Sequence, residues 1–329
     1  MPAALQRQVQ ALIDQTKRRS GWPARRTLDV LGIPRTSYYR WLRESAWTRP
    51  VASVPMVQVH EATAEEKRLV REYALKYPGV RHRELAWRMV DEDVAYVSPS
   101  TVYRILREAQ LVCPWRRRTK RTREEDERAA RPNAIWGSDL MYLRVGERMG
   151  YLVTFLDEYS RYLVYHELLW SMDGNSVSLA AQAALETLPK GADGTPQEKP
   201  EIRTDNGSGY VSREFREVLS INGLSHQRIK PHCPEENGLV ERSNRTLREA
   251  LEGEELLDRY QAEEVLRRIV RRYNEERLHR ALGYLRPADY YRGDPSELHE
   301  ARRRKLAAAR HRRREANLKL KQQTLLVEI

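Results

Sequence analysis

Apolar positions recur at helical spacing from the start of the chain. Leu5, Val9, Leu12 and Ile13 mark one face of a helix over residues 4–18. A second helical stretch runs from Pro23 to Leu31 and stops at Gly32-Ile33-Pro34, where glycine closes one helix and proline stands at or near the start of the next. The helix that follows reads Arg35-Thr36-Ser37-Tyr38-Tyr39-Arg40-Trp41-Leu42. Short helix, tight turn and short helix make a helix-turn-helix layout; an ordinary small helical bundle is the other reading.

A Pro-containing stretch with little periodicity intervenes, and the helical pattern then resumes. Thr63-Ala64-Glu65-Glu66 fits a capping box that opens a helix through Leu75. Tyr77-Pro78-Gly79 breaks it, and another helix is predicted over 81–91. Ser98-Pro99 then caps a third, in which Val102, Ile105 and Leu106 face inward while Thr101, Arg104 and Arg107 face out. This is a second helix-turn-helix unit.

The period changes after Pro132. Three strand-like runs follow, Ile135–Arg144, Tyr151–Leu156 and Tyr162–Leu168, then a helix over 174–188. A short strand, Ile202-Arg203-Thr204, ends at Asp205; a helix over 211–222, a strand over 225–229, a helix from Asn237 and another near 259–275 complete the pattern. The order βββαβαβα predicts a mixed five-stranded sheet covered by helices, as in the ribonuclease H-like fold.

Composition narrows the partner. The chain has 329 residues, 40% hydrophobic and 32% charged, with 59 Lys and Arg against 47 Asp and Glu, a net charge of +12. That balance points to a polyanion. Residues 116–123 hold six basic side chains in eight positions, and an acidic run from Glu124 to Glu127 follows. Such blocks are solvated linkers or arms that neutralise DNA phosphates, and the two readings are compatible. Cys113 and Cys233 are the only cysteines and form no Cys-x-x-Cys, which excludes a zinc knuckle or a disulfide framework. No apolar run approaches the length of a membrane span, and Met1–Gln10 lacks the apolar stretch of a signal peptide. The expected location is the cytoplasm, on the nucleoid of a bacterial cell, without membrane contact.

The candidate chemistry lies in three carboxylates. Asp139 falls in the first strand of the sheet domain, Asp205 at the end of the fourth, and Glu241 in the opening turns of the helix from Asn237. In this topology the first and fourth strands are neighbours. Three such side chains suffice to hold two Mg²⁺ ions, with Mn²⁺ as substitute, and so to serve phosphoryl transfer. Asp139 is assigned to bridge both ions, Asp205 to complete one site and Glu241 the other. Asp157 is a rival at a strand end, with a structural pairing to Arg161 at the turn as the preferred reading. Glu241, Arg245 and Arg248 share one helical face, so the two guanidiniums are candidate phosphate contacts beside the carboxylate; a solvated Glu–Arg pair explains the spacing equally.

Four stretches carry a resemblance: Trp136-x-x-Asp139; Thr204-Asp205-Asn206-Gly207-Ser208; Pro234-x-x-Asn237-Gly238-x-x-Glu241-Arg242-x-Asn244; and Tyr273-Asn274-x-x-Arg277-x-His279-x-Ala281-Leu282-Gly283-Tyr284-x-x-Pro287. In order and spacing they resemble the DDE transposase and retroviral integrase superfamily, and most of all insertion-sequence transposases. The resemblance implies that Asp139, Asp205 and Glu241 form a catalytic triad dependent on Mg²⁺ or Mn²⁺. It also implies double-stranded DNA partners, namely element terminal inverted repeats and target DNA, and at least a dimer in a synaptic complex. Met141 stands where many relatives carry threonine, and Glu235-Glu236 where a less acidic pair is usual; neither removes a ligand.

The expected organisation is a helix-turn-helix domain over 1–46, a linker over 47–62, a second helix-turn-helix domain over 63–113, a charged linker over 114–130, a ribonuclease H-like core over 131–293 and a basic tail over 294–329. Arg35, Ser37, Tyr38 and Arg40 in the first unit, Thr101, Arg104 and Arg107 in the second, and Arg116, Arg117, Arg118, Lys120 and Arg121 in the linker are candidate DNA contacts. The tail holds ten Lys or Arg between Arg302 and Lys321 against one acidic residue, Glu315; it reads either as a solvated segment or as a helix that forms against DNA or a partner subunit. The expected activity is that of a DNA transposase: hydrolytic nicking at an element end, then attack of the freed 3′-hydroxyl on a second phosphodiester. A DNA-binding regulatory or assembly factor with a silent core, and a metal nuclease without joining activity, are the alternatives.

Overall fold

The computed structural model describes residues 3–46, 58–112, 129–192, 196–229 and 237–327, and the chain divides into two compact units. One comprises residues 1–61 with 315–329, the other residues 62–314. The expected second DNA-binding domain and the expected core therefore share one unit.

In the first unit, α1 (Ala3–Ser20), α2 (Ala24–Val30) and α3 (Arg35–Ala46) bury Ile13, Leu28 and Tyr38 together. The turn between α2 and α3 follows from its glycine. Gly32 takes φ +65, a left-handed conformation costly to other residues, which lets the Ile33 amide bond back to the Leu28 carbonyl at 3.0 Å and close α2.

The second unit opens with α4 (Ala64–Lys76), α5 (His82–Asp91) and α6 (Pro99–Glu108). The capping box forms: the Glu66 amide donates to Thr63 Oγ1 at 3.2 Å and the Thr63 amide to Glu66 Oε2 at 3.0 Å. Ser98 caps α6, whose Val102, Ile105 and Leu106 are buried against Val70, Leu85 and Met89.

The sheet follows. Strands β1 (Ile135–Val145), β2 (Arg148–Asp157) and β3 (Leu163–Leu169) form an antiparallel meander, and α7 (Gly174–Glu186) leads to β4 (Glu201–Thr204), which pairs parallel to β1. Two helices stand where one was expected: α8 (Ser208–Val211) and α9 (Arg213–Ile221) are separated at Ser212, whose hydroxyl caps α9 by accepting the Phe215 amide at 3.1 Å. Strand β5 (His226–Arg228) then pairs parallel to β4, giving the order β3-β2-β1-β4-β5. Helices α10 (Gly238–Leu251) and α11 (Arg259–Glu275), a short α12 (Pro287–Tyr291) and a long α13 (Pro295–Val327) complete the chain.

Strand alternation sorts the core into two layers. Trp136 and Ile202 pack with α7 and α9 on one face, while Met141 and Val145 pack with Val240, Leu247 and the apolar face of α11 on the other. Odd-numbered β1 positions thus face α10, and Asp139 is one of them.

The basic tail is helical, as one sequence reading has it, but it packs on this same chain rather than on DNA or a partner subunit. Arg302, only 4% exposed, meets Asp91 at the end of α5 with Nη2 and Oδ2 2.6 Å apart, and donates to the carbonyls of Gly283 and Tyr284. Lys305 pairs with Asp93 at 2.5 Å and Arg313 with Glu66 at 2.9 Å. The acidic residues around α4 and α5 supply the counter-charge expected from outside. In the other unit, the Asn317 amide nitrogen lies 3.2, 3.1 and 2.9 Å from the carbonyls of Gln58, Val59 and Glu61. Among the described residues, no helix is long and apolar enough to cross a membrane.

Candidate active site

Two strand ends set the site. Residues β1 Ser138 and β4 Thr204 are the last paired positions of the parallel ladder, so Asp139 and Asp205 are the next residues outward along neighbouring strands. Adjacent strands lie about 4.8 Å apart. Alternation turns both carboxylates to the face that α10 covers, and Glu241 stands in the first turn of α10.

A missing side chain lets α10 approach. A Cβ on Gly137 would fall 2.3 Å from Val240 Cγ2, closer than packed atoms tolerate. Glycine at that position allows Val240, fully buried, to sit directly on β1 beside Asp139. The residue after Val240 is Glu241, which is exposed.

Asn244, a turn further along, fixes the arrangement. Its Nδ2 donates to Asp139 Oδ2 at 2.9 Å, and its Oδ1 accepts from Thr154 Oγ1 at 3.0 Å. Thr154 is the β2 residue opposite Asp139, so one buried amide ties α10 to both strands. Asp205 is oriented by its own turn: Oδ1 accepts the Gly207 amide at 2.9 Å, while Asn206 Nδ2 donates to the Ile229 carbonyl at 3.0 Å.

The electrostatics match this geometry. Burial lifts the Asp139 carboxyl to about 6; the charges of Asp205 and Glu241 add to the rise, and the Asn244 bond and the Leu140 amide oppose it. A half-buried carboxylate facing two others is a group a cation would relieve. Among the described residues, no three His, Cys, Asp or Glu side chains converge tightly enough to form a metal-binding group. Bare carboxylates repel, and Glu241 is exposed to water. The donor set, hard oxygens around one half-buried carboxyl, fits Mg²⁺ or Mn²⁺ in kind.

Beneath the site lies an ion pair that sequence spacing did not single out. Arg203, two residues before Asp205, meets Glu158 at 2.9 Å, with side chains 8% and 4% exposed, and also donates to Gln227 at 2.8 Å. The strand Glu201-Ile202-Arg203-Thr204 holds a single apolar residue, so its sequence carried no signal that Arg203 is buried. Asp157 has the structural role expected of it, with different partners: it is fully buried, and its carboxylate accepts the Asn133 and Ser160 amides at 2.8 Å each. Arg161 donates to the Glu158 carbonyl.

The candidate DNA contacts divide by placement. Arg35 and Arg40 are exposed on α3, Arg35 pairing loosely with Asp29 at 3.3 Å, and Ser37 is half-buried. Tyr38 is a correction: at 5% exposure its ring belongs to the core with Ile13 and Leu28, because position 38 falls on the inner stripe of α3. Arg104 and Arg107 are exposed on α6, and Thr101 accepts from Arg104 at 3.3 Å. Arg245 and Arg248 are exposed on α10, Arg245 lying 3.7 Å from Glu249. Arg116, Arg117, Arg118, Lys120 and Arg121 lie outside the described residues.

Family comparison bears on the same stretch. Two profiles described as integrase core domain match residues 129–234 and 222–287. The chain carries the integrase core of the DDE transposase and retroviral integrase superfamily. The insertion element IS476 39.2 kDa protein of Xanthomonas euvesicatoria is 28% identical over 219 residues, covering 64% of this chain and 61% of that protein. The transposase for insertion sequence element IS904 of Lactococcus lactis is 29% identical over 166 residues, covering 50% and 63%. The chain thus spans somewhat less than two thirds of these relatives. The HTLV-2 integrase catalytic core solved with magnesium superposes with TM-score 0.39 and 19% identity, covering 50% of this chain and 99% of that one.

Proposed function

We propose that this integrase-core protein is a DNA transposase that nicks element ends and joins the freed 3′-hydroxyl to a second phosphodiester, with Asp139, Asp205 and Glu241 as its catalytic carboxylates. The observation that carries the reading is the position of Asp139. It is half-buried on β1, beside the end of β4 and under α10, and feels the charge of both other carboxylates. The transposase and insertion-element relatives support the class of reaction.

The three carboxylates would hold Mg²⁺ or Mn²⁺. Bound there, the divalent ions would neutralise charge on the reacting phosphodiester and favour an ionised attacking oxygen. The chain's own residues do the rest. Asn244 holds Asp139 through Oδ2, and the Gly207 amide fixes the Asp205 carboxylate. Arg245 and Arg248, exposed on the helix that carries Glu241, would bind DNA phosphates next to the reacting one. The outer faces of α3 and α6, read as helix-turn-helix units, would hold element-end duplex through Arg35, Ser37, Arg40, Thr101, Arg104 and Arg107. Two ends must be handled together, so the working form would be at least a dimer.

The test uses a labelled duplex carrying the DNA that flanks this reading frame, where the proposal expects inverted repeats. Wild type is expected to nick it and to join the labelled 3′-end to a second duplex, with both products lost on adding EDTA. Asp205→Ala should abolish both while keeping DNA binding. Nicking without joined product would reassign the protein as a nuclease. Binding with neither product would reassign it as a regulatory or assembly factor.

A further inference from the structure

The tail helix α13 has two kinds of basic residue. Arg302, Lys305 and Arg313 are consumed by Asp91, Asp93 and Glu66, which lock one face of the helix onto the α4–α6 unit. Arg302 also lies over the Trp87 ring at 5.0 Å, and Ala309 is buried in the same face. Arg303, Arg304, Arg310 and Arg314 are exposed and have no ion-pair partner among the described residues. No Asp or Glu occurs between Ala301 and Arg314 to neutralise them.

Helix geometry aligns these free cations. At 3.6 residues per turn, Arg303, Arg310 and Arg314 fall within about 40° of one another and roughly 100° round from the locked face, along about 16 Å of helix. Arg304 lies about 100° further round, on the side away from the locked face. The stripe ends next to α6: Arg313 Nη2 donates to the Tyr96 carbonyl at 2.6 Å, and Arg312 lies over the Tyr96 ring at 5.7 Å. Tyr96 is two residues before Ser98, the cap of α6. Arg310 and Arg314 are therefore level with the start of the helix that presents Thr101, Arg104 and Arg107.

We propose that Arg303, Arg304, Arg310 and Arg314 form a phosphate-binding surface for duplex DNA that continues the outer face of α6. The inference rests on the DNA-binding reading above and adds a surface to it. The locked face removes the cost of ordering: the ion pairs hold the guanidiniums in line before DNA arrives, unlike cations on a free tail. The surface reads charge and spacing rather than bases, so it extends the grip along the duplex without setting sequence choice.

The experiment is the salt dependence of binding to a labelled duplex of arbitrary sequence, measured by anisotropy with the full chain at about 50 to 200 mM salt. Each phosphate contact contributes about 0.9 to the slope of log K against log salt, so the variant R303Q/R304Q/R310Q/R314Q should flatten the wild-type slope by about 3.6. Four lysines at the same positions should retain it. A variant that binds with a slope changed by less than about 1.5, or a lysine variant that loses as much as the glutamine one, overturns the proposal while leaving the DNA-binding reading intact. Preference for an RNA duplex with the same loss of slope also overturns it. Wild type that shows no salt-dependent binding to any duplex sinks the DNA-binding reading, and this inference with it. The thermal transition of each variant, expected at the wild-type temperature, separates lost contacts from lost fold.

Discussion

Asn244 Nδ2 lies 2.9 Å from Asp139 Oδ2, while the same side chain accepts from Thr154 at 3.0 Å. A residue on α10 thereby orients a carboxylate on β1 through a bond braced on β2. A partner of this kind is worth roughly 10- to 100-fold in metal affinity or activity. Asn244→Ala is expected to lower strand joining by that order and to raise the Mg²⁺ concentration needed for half-maximal rate, with DNA binding retained. An unchanged metal requirement would show that the bond serves packing alone.

Gly137→Ala tests how α10 is seated. The new methyl meets Val240 Cγ2 at 2.3 Å, so α10 must shift or the strand must bend. Overpacking of this kind costs about 1 to 3 kcal/mol. Urea unfolding should show that loss, and Val240→Ala in the same chain should recover part of it. Activity should fall further than stability, because the shift displaces Glu241 and Asn244 together. Additive effects of the two substitutions would argue against the contact.

The Glu158–Arg203 pair makes an asymmetric prediction. Both side chains are nearly excluded from water, and removing one leaves the other charged and unpaired, at a cost of about 3 to 5 kcal/mol. Glu158→Leu alone should therefore unfold at much lower urea than Glu158→Leu with Arg203→Met. If the double variant is the less stable, the pair is a net stabiliser and this reasoning fails.

Acid sensitivity should trace to two histidines. Burial, aided by Arg267 near His166 and by Arg277 and Arg161 near His279, lowers each ring to about 4. The unfolded chain, with histidine near its usual value of roughly 6.5, binds the extra proton first. Their contribution is complete above about pH 6.5 and is lost as pH falls toward 4, at up to about 1.4 kcal/mol per pH unit each. Buried Asp157 and Glu158, whose carboxyls are raised, act in the opposite sense, so the difference between wild type and His279→Gln isolates the histidine. That difference should narrow from pH 7 to pH 5 in urea unfolding. A constant difference would place His279 in water.

Much of this was legible in the chain itself. The period change after Pro132, the Thr63–Glu66 box and the inward stripe of α6 specify local structure, and local structure formed where they pointed. The two aspartates were legible because strand order and alternation put positions 139 and 205 side by side. Asn244 was visible only as part of a motif, since its role depends on a contact with Thr154 ninety residues away. Tyr38 was misplaced because a short polar helix does not declare which stripe faces in. The tail was misjudged because its counter-charges, Asp91, Asp93 and Glu66, lie more than two hundred residues upstream.

The central claim is that Asp139, Asp205 and Glu241 act as one unit, and the most direct measurement is strand joining by D139N, D205N and E241Q singly and in pairs. Groups that act together are grossly non-additive. Each single substitution is expected to reduce joining by about 10³-fold or more, with no further loss in any pair and with duplex binding preserved. Joining by E241Q at close to the wild-type rate, or pairs whose losses multiply, would contradict the account.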